Sequence, residues 1–148
     1  MQKAYLEAQK AAQKGEVPIG AVVVKDGKII ARGHNLREIK KNALCHAELI
    51  ALDKACKKLG GWRLIDCDLY VTLEPCPMCA GAIIQSRIRH LYFGASDAKS
   101  GAVGSVVNLL SVDGFNHSVD VTSGILSEQC SEILSDFFRN LRKFKKMV

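Results

Sequence analysis

Three side chains suited to holding a metal are divided between two distant stretches, and any fold of this chain must bring those stretches together. One is His46-Ala47-Glu48; the other is Pro75-Cys76-Pro77-Met78-Cys79. Each falls where a helix is expected to begin. Cys45 to Leu59 reads as a helix stopped by Gly60 and Gly61, and Cys76 to Gln85 as a short helix opened by Pro75. Cysteines three apart in a first helical turn leave from one face. The positive N-terminal end of a helix favours their thiolates. One imidazole and two thiolates are ligands that zinc prefers, so the spacing calls for two helix N-termini aimed at one point.

Three protein ligands leave a fourth tetrahedral position open, the pattern of a catalytic rather than a structural zinc. Water in that position becomes acidic near neutral pH. Glu48 shares a helical turn with His46 and is expected to face the open position, where it can take and return a proton. The alternative is a closed structural knot, which needs a fourth ligand. Cys45 is the candidate, but adjacent helical residues point about 100° apart, so Cys45 and His46 reach one ion only awkwardly.

The chain of 148 residues has a length typical of one domain, spanning 1–148. Such a length buries enough surface to fold without disulfides. No apolar run is long enough for a membrane span and no signal segment follows Met1, so a soluble cytoplasmic protein is expected. In that setting the six cysteines are expected to be reduced, some binding metal and Cys56, Cys67 and Cys130 buried as thiols. A net charge of +6 fits a polyanionic partner, though a merely soluble basic surface explains it equally well.

The periodicities predict an α/β chain. A helix over Gln2 to Gln13 precedes a β-branched run, Ala21 to Val24. Asp26-Gly27 between that run and Ile29 to Ala31 is a hairpin signal. Strands are expected at Leu69 to Leu73, His90 to Phe93 and Val119 to Val121, with a loop at Ala95 to Asn108. A last helix runs from Ser127, as its cap, to about Phe144. The hairpin must pair antiparallel, and the strand–helix–strand stretch favours a parallel crossover. A mixed five-stranded central sheet with helices on both faces, three layers in all, follows. The helix at Cys76 to Gln85 is apolar nearly all round, so it must be covered on more than one side, and a partner subunit is a natural cover.

His46-Ala47-Glu48 and Pro75-Cys76-Pro77-Met78-Cys79-Ala80-Gly81-Ala82 resemble the cytidine/deoxycytidylate deaminase superfamily. Within it the chain is most similar to the bacterial tRNA-specific adenosine deaminases. Further stretches carry that likeness: Gly15-Glu16-Val17-Pro18-Ile19-Gly20, Leu73-Glu74-Pro75-Cys76, Ser86-Arg87-Ile88, Asp97-Ala98-Lys99-Ser100-Gly101-Ala102, and Asp136-Phe137-Phe138-Arg139. The resemblance implies a cytidine-deaminase-like fold, one Zn2+ per subunit, a homodimer, and hydrolysis of the wobble adenosine in a tRNA anticodon stem-loop to inosine. It implies that Glu48 relays the proton and that backbone near Glu74 to Cys76 holds the water or amino group. It also implies that Asn35 bonds the base, that Val17 and Ile19 wall the pocket, and that Asp97 lies near the ribose. Without it, Asn35 reads as a turn residue, Val17 and Ile19 as core, and Asp97 as a loop cap. Asn42-Ala43-Leu44-Cys45 departs from the family's usual Asp-Pro-Thr-Ala stretch before the histidine.

The final helix places Glu128, Glu132 and Asp136 early, and Arg139, Arg142, Lys143, Lys145 and Lys146 late. The helix dipole alone explains that order. It also sets positive charge beside Phe138, on which a base can stack, and points to an RNA contact by Phe138 and Arg139. Two other functions share these features. A deaminase of free guanine, cytosine or deoxycytidylate would use the same zinc chemistry. A non-catalytic zinc-stabilised RNA-binding module would have no use for Glu48.

Overall fold

The computed structural model describes residues 1–148. Its elements are α1 (Gln2–Gln13), β1 (Gly20–Lys25), β2 (Lys28–His34), α2 (Arg37–Lys40), α3 (Ala47–Leu59), β3 (Cys67–Leu73), α4 (Pro77–Gln85), β4 (His90–Ala95), a 3-10 turn at Leu109–Ser111, β5 (Asp120–Thr122) and α5 (Ser127–Met147). The five strands form one mixed sheet in the order β2-β1-β3-β4-β5. The β1–β2 hairpin and the β1–β3 pair are antiparallel, whereas β3–β4 and β4–β5 are parallel. The expected three-layer α/β/α architecture is therefore present. The hairpin turns at Asp26 and Gly27, whose φ values of 51° and 74° are the left-handed pair such a turn requires.

Neighbouring residues of a strand face opposite ways, and here each way meets a helix. A side chain on Gly20 would run into the backbone of α1; one on Gly33 would place its Cβ 2.5 Å from the Ala47 carbonyl oxygen and 2.8 Å from the Ala51 nitrogen of α3. The α1 side carries small residues, Ala4, Ala8 and Ala11, all fully buried. The α3 side holds the main core, with Ala21, Val23, Leu69, Val71, Leu91 and Phe93 against Ala51, Leu52, Ala80 and Ile83. Coverage on both faces explains why β1 needs an unbroken apolar run. Gly33→Ala is expected to cost about 1–3 kcal/mol in urea unfolding, because α3 must move off the sheet. The same shift would carry His46 and Glu48 with it, so activity should fall further than stability alone accounts for.

Among the α1 contacts is a buried carboxylate. Glu7, 3% exposed, bonds His34 Nδ1 at 3.1 Å and Lys10 Nζ at 2.5 Å. Burial pushes its pKa up, but the bonds to Lys10 and His34 outweigh burial and hold it below the ordinary value. A depressed carboxylate contributes stability above its unfolded pKa and loses it as pH falls through the folded one. Glu7→Gln should thus be less stable than wild type near neutrality, and the gap in urea midpoints should close as pH falls from about 6 to about 3. A gap that stays constant would contradict the assignment.

Several local boundaries differ from expectation. The helices at the two motifs begin one residue or more later, at Ala47 and Pro77. Pro77 rather than Pro75 opens α4, at the first helical position, where a missing N–H costs nothing. Ser127 is not a cap: the residue before α5 is Leu126, at φ 55°, and no side chain caps the helix. Helix α2 and the 3-10 turn fall in stretches where the sequence predicts no element. Cys67 and Cys130 are buried as expected, but Cys56 is only half-buried. All six cysteines are free thiols. No helix is long and apolar enough to cross a membrane.

Candidate active site

The late helix starts turn out to position two of the candidate metal ligands. His46 and Cys76 are the N-cap residues of α3 and α4, in extended conformation at φ −77°, ψ 151° and φ −75°, ψ 173°. Their carbonyls already accept the first helical bonds, from Ile50 N at 3.1 Å and Ala80 N at 2.8 Å. Their side chains, free of helical geometry, turn toward one another. His46 Nδ1 lies 3.6 Å from Cys76 Sγ and 3.5 Å from Cys79 Sγ, and all three atoms fall within 4.8 Å of one another. Cys45 is half-buried and is not part of this cluster, so the fourth ligand of a closed knot is missing.

Protons are unevenly shared among these atoms. Hydrogen bonding from Cys79, and then from His46, holds the Cys76 thiol down at about 4 against the pull of burial. The bond to Cys76 raises His46, and the same neighbour together with burial pushes Cys79 up. Two soft sulfurs and a ring nitrogen converging on one point are donors that suit a metal cation. Glu48 follows in the first turn of α3 and is 4% exposed; burial pushes its carboxyl up to about 7.

A cleft of about 750 Å³ opens onto this cluster, well within the range of small-ligand sites. Val17, Ile19, Asn35, His46, Glu48, Cys76, Asp97, Phe138 and Arg139 all line it, whereas Cys79 lies fully buried behind. The local roles read for two of them are present as well. Asn35 donates to the Val17 carbonyl at 3.2 Å and accepts from Arg37 N at 3.1 Å, a turn-forming pattern. Asp97 caps its loop by accepting from Lys99 N at 3.0 Å and Ser100 N at 3.2 Å. Phe137 and Phe138 meet edge to face at 5.4 Å, and Arg139 pairs with Asp136 at 2.8 Å.

Other lining residues were not read from the sequence as part of the site. Arg37 and Lys99 add positive charge to the cleft, beside Arg142 from the basic helix end expected to meet RNA. The Glu74 side chain borders it too, with the carboxylate held by four hydrogen bonds from the loop after β4. A signal for Glu74 exists, an acid wedged between a strand end and Pro75, but its partners are distant in sequence. Arg37 carries no such signal. It is placed by Glu16, whose buried carboxylate accepts from Glu38 N at 3.1 Å and Ile39 N at 2.8 Å and so holds α2 against the cleft.

A central mixed sheet with a His–Cys–Cys cluster and an adjoining buried glutamate at two helix N-termini is the arrangement of a deaminase, and the sequence matches the MafB19-like deaminase family over residues 1–142. A tRNA-specific adenosine deaminase of Bacillus subtilis (strain 168) is 57% identical over 146 residues, covering 99% of this chain and 91% of the relative. A solved structure from work on A-to-I editing by tRNA:A34 deaminases at the wobble position of transfer RNA aligns with a TM-score of 0.87 at 48% identity, over 90% of this chain and 97% of that one. A guanine deaminase from Nitrosomonas europaea aligns with a TM-score of 0.76 at 27% identity, over 92% of this chain and 81% of that one. The chain belongs to the tRNA-specific adenosine deaminase family.

Proposed function

We propose that this chain converts the wobble adenosine of a tRNA anticodon to inosine by zinc-dependent hydrolysis. The observation that carries the reading is Glu48, a buried carboxyl in the cleft wall beside His46 and Cys76, two side chains that could hold a metal, in a chain so close to tRNA-specific adenosine deaminases. Zinc is favoured as the metal by the donor set, one imidazole nitrogen and two sulfurs that lie within 4.8 Å of one another.

His46, Cys76 and Cys79 would hold the ion, one per subunit. Bound there, it supplies the Lewis acidity that makes water nucleophilic at neutral pH. Glu48 carries the proton. A carboxyl poised near neutrality both accepts and donates readily, so it can move a proton from water to N1 of the adenine and later to the departing amine. The base must leave its stack to reach Glu48. Val17 and Ile19 then bound it, and Asn35 bonds it with the amide hydrogen not used on Val17. Asp97 lies by the ribose, and Phe138 stacks on a neighbouring base. Arg37, Lys99, Arg139 and Arg142 fit the phosphates on either side.

A panel of substrates tests this reading. The purified protein is given an anticodon stem-loop with wobble adenosine and, separately, guanine, cytosine and deoxycytidylate, and ammonia is followed. Ammonia from the stem-loop is expected; turnover of a free base alone would favour the family's guanine-deaminase relatives instead. Removing the charges of Arg142 and Lys143 together should lower the salt slope of stem-loop binding by about 1–2. An unchanged slope would remove α5 from the RNA interface.

The chain is further proposed to work as a homodimer in the cytoplasm, where its tRNA substrate is found. Helix α4 supports the first part. Its Met78, Gly81 and Ala82 remain only half-buried although its other side is in the core, and Val106, Val107 and Val112 lie exposed before and after the 3-10 turn that packs on α4. Light scattering should give twice the 16.2 kDa chain mass, and Ala82→Arg should give a monomer.

A further inference from the structure

Glu74 stands at the seam between the metal-binding turn and the loop that follows β4. It is 3% exposed and lies just past the end of β3, two residues before Cys76. One carboxylate oxygen accepts from Asp97 N at 3.0 Å and Ser105 Oγ at 2.5 Å. The other accepts from Val103 N at 3.0 Å and Ser105 N at 3.1 Å. Two backbone bonds close the same seam, Glu74 N to the Ala95 carbonyl and Ala102 N to the Pro75 carbonyl, both at 2.8 Å. Gly101 lies against the carboxyl group so tightly that any side chain there would collide with it.

The loop's other ties are local or at its far end. Asp97 accepts from Lys99 N and Ser100 N, Gly101 N donates to the Asp97 carbonyl, and Ala102 and Val103 pack into the core. The Glu74 carboxylate is thus the group that joins the Asp97 turn to residues 103–105. Residues 96–105 are mostly Ser, Ala, Gly and Lys, and only Gly101, Ala102 and Val103 are buried. Yet this loop carries Asp97, Lys99 and Ser100 into the cleft wall. An ionised carboxylate offers about four acceptor sites and no donor, which suits four converging donors.

We propose that Glu74 is a positioning residue for the RNA strand: its carboxylate fixes the backbone of residues 97–105 and thereby sets the cleft wall formed by Asp97, Lys99 and Ser100 at a constant distance from the metal-binding turn. The proposal rests on the reading of the substrate as a nucleotide within RNA. Glu74 acts through the loop, so it governs how the strand is held rather than how the proton moves.

Glu74→Gln separates these roles. Its amide keeps one oxygen for the fixed N–H groups of Val103 and Ser105. The Ser105 hydroxyl can rotate to accept from the amide nitrogen. The Asp97 N–H cannot, and is left facing another donor. Glu74→Gln should therefore raise KM for the stem-loop about tenfold while kcat stays within about threefold. Metal content should equal that of wild type, and the Asp97 amide should exchange its hydrogen faster. Ser105→Ala, which removes a single bond, should raise KM by about two- to threefold.

An unchanged KM in either variant would overturn the proposal, and Ser105→Ala decides alone if Glu74→Gln does not fold. Loss of metal together with kcat in Glu74→Gln would also overturn it, making Glu74 a support for Cys76. Wild type is assayed in parallel on the stem-loop and on guanine. Activity on guanine alone would overturn the RNA reading and the strand-positioning role with it, whereas wild-type turnover of the stem-loop with an unchanged KM in the variants would overturn the role of Glu74 alone.

Discussion

Glu48→Ala is expected to lower kcat on a wobble-adenosine stem-loop by about 10³–10⁴-fold, the upper part of what a positioned acid–base group contributes. Metal content and RNA affinity should stay close to wild type, because the side chain carries neither function in this account. Thermal stability should hold or rise. Keeping an ionisable group buried costs free energy, and burial has already pushed this carboxyl up to about 7. Loss of activity with an intact fold, metal site and RNA binding separates a proton carrier from a structural acid. A non-catalytic RNA-binding module would show no comparable dependence on Glu48.

Cys79→Ala carries the second large effect. Cys79 is fully buried behind the cleft and shares its sulfur with the His46–Cys76 pair. Without it, two ligands remain, and the metal-to-protein ratio should fall from about one to near zero. Activity should vanish with it. Stability should fall too, because an ion that binds only the folded chain stabilises it by mass action. At 100 times its Kd a ligand adds about 2.7 kcal/mol, or roughly 5–10 °C of Tm for a domain of this size. Chelator should lower the wild-type Tm by a similar amount and leave that of the variant unmoved. Stoichiometric metal in Cys79→Ala would contradict the ligand set.

The features most readable in the sequence were those in which chemistry restricts both residue type and spacing. Few residues bind metals, and helix starts dictate their direction, so His46, Cys76 and Cys79 could be expected at one point, where the structure brings them together. The sheet was readable for a related reason: Asp26-Gly27 forces a hairpin, and the apolar run of β1 demands cover on both faces. What escaped is held by contacts between distant residues. Helix α2 spans four residues and is fastened by Glu16 from before β1; no periodicity marks so short an element. The loop after β4 looks unstructured by composition because its organiser, Glu74, lies on the preceding strand–helix connection. Ser127 has the chemistry of a cap, yet the chain enters α5 through a left-handed Leu126, which puts the serine inside the helix. Local preference loses there to the path the backbone must take off the sheet.

In the proposed reaction this cleft hydrolyses a base held within an RNA strand, with Glu48 carrying the proton. Reaction of the stem-loop in oxygen-18 water, followed by mass analysis of the released nucleosides, tests it directly. One labelled oxygen is expected in inosine derived from the wobble position, from wild type and not from Glu48→Ala. Absence of inosine with the wild-type enzyme, or equal labelling by Glu48→Ala, would contradict it.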